Sequence, residues 1–311
     1  MGKLYQTLMS ILKISGQLLT RLYWPDITIQ SKNNFMTRPA ENDHSYEPFA
    51  SLPFNRRIDE TLLRMAPGRF ESHTDLATGY GAVIGQCLRL GMYEGESWLA
   101  TGVDIDSTGL KAARARFANH GEHVRFIQMG IQQEIPGIKP DSQDFVTMFN
   151  AIHLTDPTLS LREATRIARP GAILLVSSAY EKSANPDPAG RMLVKAMTNA
   201  RRDLREQGFS DFSTNRVRGY SNDEYKAMAE AAGFKEVEIV TYEAQLDREA
   251  LAAIFNSRDF AQGVFPNIPL DNVAAALVAS IDPMLEYFDR ETLPRNYMLL
   301  KAIRAGLPIT A

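Results

Sequence analysis

Thr74-Asp75-Leu76-Ala77-Thr78-Gly79-Tyr80-Gly81 puts an acid at the end of a strand and two glycines in the turn that follows. Glycine permits dihedrals and close approaches that a side chain would block. A helix starting near Ala82 would turn its free N–H groups toward whatever lies above the bend. A dinucleotide or an adenosyl compound suits such a turn. One glycine-rich bend is a weak signal, so its meaning depends on the chain around it.

Outward from this stretch, strands and helices alternate. Residues 73–77 read as a first strand and 82–90 as the helix after it. Residues 98–103 read as a second strand running into Asp104 and Asp106, and 107–117 as a helix with Leu110, Ala113 and Phe117 on one face. Residues 124–128 and 145–149 are short apolar runs of the kind buried parallel strands show. Asp156-Pro157 caps a helix that runs to Ile167 and stops at Arg169-Pro170-Gly171, and 172–177 form the clearest strand. Ser221 with Glu224 makes a capping box for a helix ending at Gly233, and 237–241 and 297–303 close the pattern as strands. Upstream, Ile58, Leu62, Leu63 and Met65 predict a helix over 56–65. Such alternation predicts a doubly wound α/β sheet covered on both faces.

Two stretches fall outside the alternation, at about 181–219 and 246–294. They read as helical insertions forming a cap, a core extension or a dimer face, with Met192, Leu193, Met197, Leu251, Phe255 and Phe260 among their apolar residues. As a cap near strand ends, they would suit a hydrophobic small-molecule substrate. Residues 1–44 read as an N-terminal helical extension and linker. Residues 1–25 hold Lys3, Lys13 and Arg21 with no acid, and Leu4, Leu8, Ile11, Leu12, Leu18, Leu19 and Leu22 recur at helical spacing. This pattern fits a helix on an anionic membrane surface, a removable targeting segment, or a helix docked on its own core or on a second subunit of a homodimer.

The 311 residues are 44% hydrophobic and 23% charged, enough for one large core with a smaller cap. A net charge of −3 lacks the basic field of nucleic-acid binders. Cys87 is the only cysteine, which excludes an intrachain disulfide and a cysteine metal cluster, and no metal is expected. A reducing, cytoplasmic setting fits, with membrane association open through the first residues. No apolar run reaches the ~18 residues of a spanning helix.

Ligands of doubly wound sheets sit beyond the carboxyl ends of the strands. Asp75 there could accept from a ligand amine, Asp104 could take two hydrogen bonds from ribose hydroxyls, and Asn150 could orient the amino-acid end of the ligand. The ordered set 75–81, Gly102-Val103-Asp104-Ile105-Asp106, Phe145 through His153, and Arg169-Pro170-Gly171-Ala172 resembles the class I S-adenosylmethionine-dependent methyltransferases over roughly 45–245 plus the last strand. The resemblance implies a Rossmann-like sheet of seven strands with the last antiparallel, and S-adenosyl-L-methionine as cofactor. It implies cofactor contacts at Ala77, Gly79 and Gly81, ribose binding at Asp104 and adenine packing on Ile105. Tyr46 resembles the aromatic residues that cover the cofactor in relatives.

Two positions depart from the family pattern. Ala77 stands where the first glycine is usual. Ile131 stands where an adenine-binding aspartate is common, leaving adenine to backbone near Ile131 and Gln132 or to the Gln132 side chain. His153, just past the fourth strand, is the candidate general base, with an ordinary imidazole pKa suited to the task. His44, His73, His120 and His123 read as surface or capping residues.

A nicotinamide dehydrogenase is disfavoured, since Tyr297 and Lys301 fall on a strand that would hold them apart. Asn150-Ala151-Ile152-His153 lacks the proline-rich element of base-flipping methyltransferases. The expected activity is O- or C-methylation of a hydrophobic small molecule in secondary metabolism (EC 2.1.1 class). The alternative is a methyltransferase-like protein that binds cofactor or substrate without transfer, in a cyclase or binding role.

Overall fold

The computed structural model describes residues 46–179, 188–214 and 219–306. The N-terminal extension and linker through 44, and parts of the first insertion, lie outside the described residues. A short helix, α1 (Glu47–Ala50), leads into α2 (Pro53–Leu63), which has proline in its first turn. The alternation then follows as β1 (Ser72–Leu76), α3 (Ala82–Arg89), β2 (Leu99–Asp104), α4 (Ser107–Arg116), β3 (Val124–Gln128), β4 (Gln143–Met148), α5 (Pro157–Ile167) and β5 (Ala168–Ser178). After the first insertion helix α6 (Ala189–Glu206) come α7 (Asn222–Ala232) and β6 (Phe234–Leu246). The second insertion is four helices, α8 (Arg248–Asn256), α9 (Arg258–Val264), α10 (Leu270–Ala279) and α11 (Ile281–Tyr287), before β7 (Leu293–Arg304).

The seven strands form one sheet in the order β3-β2-β1-β4-β5-β7-β6. β1 to β5 run parallel, and β7 pairs antiparallel with both β5 and β6. This is the Rossmann-like methyltransferase sheet, with its reversed final strand as expected. Because β7 runs backwards, its first residues lie at the same edge as the carboxyl ends of β1, β4 and β5.

Strand alternation divides the core. Phe145, Ile173, Leu175, Tyr297 and Leu299 share one apolar cluster, and Val146, Met148, Leu174, Val176, Met298 and Leu300 share the other. α5 and α7 cover the second cluster through Leu161, Ala164, Ile167, Tyr225 and Ala229. The Ser221–Glu224 capping box is present, and Gly233 ends α7 in the left-handed region at φ 104°.

The insertions build on the first cluster. α6 buries Met192, Ala196, Ala200 and Leu204, one stripe at four-residue spacing, and packs against α10 and α11. Leu251, Phe255, Val273, Leu277 and Met284 join the same cluster as Phe145 and Leu299, so these helices extend the core over that face. β6 and β7 run well past the expected 237–241 and 297–303. Charged residues such as Lys235, Glu236 and Glu238 point outward on edge strand β6 and dilute its apolar signal, while pairing with β7 sustains the ladder. Among the described residues no helix is long and apolar enough to cross a membrane.

Candidate active site

The turn after β1 has an unusual backbone. Ala77, Gly79 and Gly81 have φ of 60°, 52° and 73°, three left-handed residues within five. At Gly81, the N-cap of α3, a Cβ would also fall 2.6 Å from the Phe117 ring, so the position demands glycine twice over. At Gly79 a Cβ would meet nothing within 4 Å, so the space above this residue is open to a ligand. Ala77 adopts a conformation that costs an L-residue about 1–2 kcal/mol. The departure at Ala77 is therefore one of backbone strain at the base of the turn.

β2 delivers Asp104 to the same bend. The Gly79 N–H donates to Asp104 Oδ2 at 2.7 Å, and the Asp106 N–H donates to Oδ1 at 2.8 Å. Asp106 in turn caps α4, accepting from the N–H groups of Thr108 and Gly109 at 3.0 and 3.1 Å. Burial raises the Asp104 pKa, and backbone hydrogen bonds from Asp106, Gly79 and Ile105 oppose that rise. The carboxylate keeps acceptor capacity beyond its backbone bonds, which a ligand hydroxyl can use. Ile105 follows with 51% of its surface exposed, a large apolar side chain held at the strand end.

Asn150 leaves β4 with φ 52°, its N–H shared between the carbonyl and hydroxyl oxygens of Ser177 at 3.0 and 3.1 Å. Its Oδ1 is buried and has no hydrogen-bond partner among the described residues. Such an acceptor is costly unless a ligand donor meets it. The open space over Gly79, the Asp104 carboxylate and this orphaned oxygen fit the ribose and amino-acid ends of a nucleoside cofactor. Tyr46 stands before α1 with its ring 5.2 Å from that of Phe49.

Four expectations change. Asp75 does not present its carboxylate to the cleft: it is buried, accepting from Thr147 Oγ1 and Thr78 Oγ1 at 2.6 Å each. Burial lifts its pKa to about 7 against those two hydrogen bonds. His153 is not a group with an ordinary imidazole pKa. It is buried, within 3.1 Å of Ser178 Oγ through Nδ1, and burial, aided by the charge of Arg295, drives it down to about 3. An imidazole so weakly basic is a poor proton acceptor, which argues against the base role. The Gln132 side chain is engaged as well, since its Oε1 accepts from the Asp156 N–H at 2.9 Å. Ile131 is buried with Leu76 and Val103, which leaves the adenine end to Ile105 and to backbone.

His73, read as a surface or capping residue, is fully buried. Thr147 donates to Asp75, so its oxygen accepts from His73 Nε2–H at 2.8 Å, and His73 Nδ1 accepts from Tyr93 O–H at 2.7 Å. This chain of hydrogen bonds runs under the sheet edge to Asp75. Asp59 on α2 was also missed. It is buried, accepts from Gln86 Nε2 at 3.0 Å, and burial, with the charge of Asp75 adding, raises its pKa to about 8. The available signal was an acid and an amide, Asp59 and Asn55, on the apolar stripe of a helix.

Residues 74–176 match the model of a methyltransferase domain family. No curated protein matches the chain. Among solved structures, the YcgJ protein of Bacillus subtilis is 18% identical, with 81% of this chain and 99% of that one covered and a TM-score of 0.52. The cyclase SpnF is 15% identical over 81% of this chain and 82% of its own, at a TM-score of 0.50. The phosphoethanolamine N-methyltransferase 2 of Haemonchus contortus is 14% identical over 80% of this chain and 52% of its own, also at 0.50. At these identities the likeness is one of fold.

Proposed function

Because this chain has the class I S-adenosylmethionine-dependent methyltransferase fold and matches the methyltransferase domain family over residues 74–176, we propose that it methylates a hydrophobic small molecule on oxygen or carbon. S-Adenosyl-L-methionine is the cofactor this reading requires. The observation that carries it is the bond from the Gly79 N–H to Asp104, which fixes a ribose-binding carboxylate against an open left-handed turn. Asp104 holds the ribose hydroxyls, Ile105 packs against adenine, backbone near Ile131 and Gln132 borders the ring, and Asn150 meets the amino-acid end. Tyr46, just before α1, is the aromatic residue this reading assigns to covering the cofactor.

When bound, the sulfonium supplies a methyl group that is already activated. What remains for the protein is alignment of the acceptor and exclusion of water. His153 and Ser178, at the carboxyl ends of β4 and β5, line the acceptor side with neutral polar groups. With no strong base among the described residues there, the reading favours acceptors that ionise readily by themselves, such as phenols and enols. Leu154 and Leu159, exposed apolar residues just beyond His153, supply hydrophobic surface for such a ring.

Calorimetric titration with S-adenosylmethionine and S-adenosylhomocysteine tests the site, and a methyl-label screen over hydroxylated apolar metabolites tests the reaction. Binding with transfer to a phenolic or enolic acceptor is the expected result. Tight binding with no label transferred across a broad panel would assign the non-methylating role instead.

A further inference from the structure

β6 ends the strand order, and among the described residues no strand pairs with its outer edge. Such an edge offers a row of backbone donors and acceptors to another chain. This one is protected at one end only. Lys235, Glu236 and Glu238 are exposed there, and Glu236, at φ 52°, lies within the register shift between Lys235 and Glu238 against β7. Charge and a bulge both keep an edge from pairing. Beyond them Ile239-Val240-Thr241-Tyr242 carries no charge, proline or glycine, only β-branched and aromatic residues suited to a strand. From Glu238 to Leu246 the register with β7 is unbroken.

The side chains of this stretch divide between two faces. Val240 and Tyr242 stand opposite Leu299 and Tyr297 of β7, on the face of the insertions, and Ile239 and Thr241 stand opposite Leu300 and Met298, on the face of α7. Ala244 and Leu246 are buried in the cluster the insertions build, whereas Val240 on the same face is 41% exposed, with Thr241 exposed beside it.

We propose that the β6 edge is a self-association surface, on which a second copy of this chain pairs antiparallel about a two-fold axis at Thr241. An axis normal to the sheet keeps every side chain on its own face. Thr241 then meets Thr241, Val240 meets Tyr242 twice, Ile239 meets Glu243, and Glu238 meets Ala244. Threonine on threonine and aromatic on β-branched are favourable cross-strand pairs, and no like charges stand opposite. An axis at Glu238 or Glu243 would oppose two carboxylates. One at Val240 would set Glu238 on Tyr242, and one at Tyr242 would leave Val240 on Ala244. Pairing about Thr241 also stops at Glu238, short of the bulge in each copy. So short a ladder is small beside the ~20–30 residues a side of a stable complex, so the dimer is a reversible one with a Kd of about 1–100 µM. The proposal is independent of what the cleft binds, since β6 lies at the far edge of the sheet from β2.

Sedimentation velocity of the full chain over about 1–200 µM should show a monomer–dimer equilibrium, and Val240→Lys should weaken it by about tenfold or more. Cysteine cross-linking reads the register. Facing Cα atoms of an antiparallel ladder lie about 4.5–5.5 Å apart, within reach of a disulfide, and the native Cys87 is buried. Under mild oxidation Thr241→Cys should form a covalent dimer at least about tenfold faster than Glu238→Cys or Gln245→Cys, whose two copies would stand about 20 Å apart or more. A chain that stays monomeric across the range overturns the proposal. So does a dimer that Val240→Lys leaves unchanged, or one that cross-links as fast through Gln245→Cys as through Thr241→Cys. Should Val240→Lys fail to fold, the ranking of the three cysteine variants decides.

Discussion

Gly79 and Asp104 lie twenty-five residues apart and are joined by a 2.7 Å hydrogen bond from backbone N–H to carboxylate. The glycine turn of β1 and the acid of β2 are thus one unit: the side chain read as a ligand group also braces the open turn beside it. Asp104→Ala removes both functions. A hydrogen bond to a charged group is worth about 1.5–3 kcal/mol, so nucleoside affinity should fall by about tenfold to a hundredfold by calorimetry. Unchanged affinity would remove Asp104 from the site.

Ala77, left-handed at φ 60°, makes a second prediction. Ala77→Gly relieves a penalty of about 1–2 kcal/mol and returns part of it as unfolded-chain entropy, for a net gain of about 0.5 kcal/mol. Ala77→Val, branched at Cβ, should lose more than about 1 kcal/mol. Urea denaturation should rank the variants glycine, alanine, valine. A valine variant as stable as the wild type would contradict the strain.

Stability against pH follows from four buried groups. Asp59 and Asp75 have folded pKa values of about 8 and about 7, above the unfolded value, so their contribution is full at low pH and is lost as pH rises through the folded values. His73 and His153, both lowered to about 3, contribute fully above about 6.5 and lose that contribution as pH falls toward 3. The two effects oppose each other between about 4 and 6.5. From 6.5 to 8 only the carboxyls act, and stability should fall by at most about 1.4 kcal/mol per pH unit for each. Denaturation midpoints at a series of pH values measure this, and Asp59→Asn should flatten the slope. A midpoint that rises across that interval would be incompatible with buried neutral carboxyls.

His153 should give no titration near 6.5 in the pH dependence of kcat, because its folded pKa lies at about 3. His153→Gln, which keeps a polar side chain near Ser178, is expected to retain kcat within about tenfold, well short of the 10²–10⁴ of a lost general base. A larger loss with a changed pH profile would restore the base role.

At the capping box, Ser221→Ala removes the acceptor for the Glu224 N–H and should cost about 1 kcal/mol of stability, read from denaturation. A change below about 0.3 kcal/mol would mean that packing of Tyr225 alone holds the helix start.

Local chemistry determined much of this protein from the sequence alone. Period-2 and period-3.6 patterns, proline and glycine stops, and the Ser221–Glu224 box marked most elements, while the reversed last strand was implied by the resemblance alone. Asp104, Gly79 and Gly81 were legible because a carboxylate at a strand end and glycines in a turn do their work through neighbours in sequence. Tertiary structure alone decided the rest, because burial is a property of what packs on a residue from distant parts of the chain. It turned Asp75 inward onto Thr147 and Thr78, took basicity from His153, and placed His73 in a hydrogen-bonded chain with Tyr93 and Thr147. It also set Asp59 against Gln86, on neighbouring helices in the fold and twenty-seven residues apart in the chain. A charge read from sequence carries its aqueous pKa, and only the surrounding protein determines how much of that water is removed.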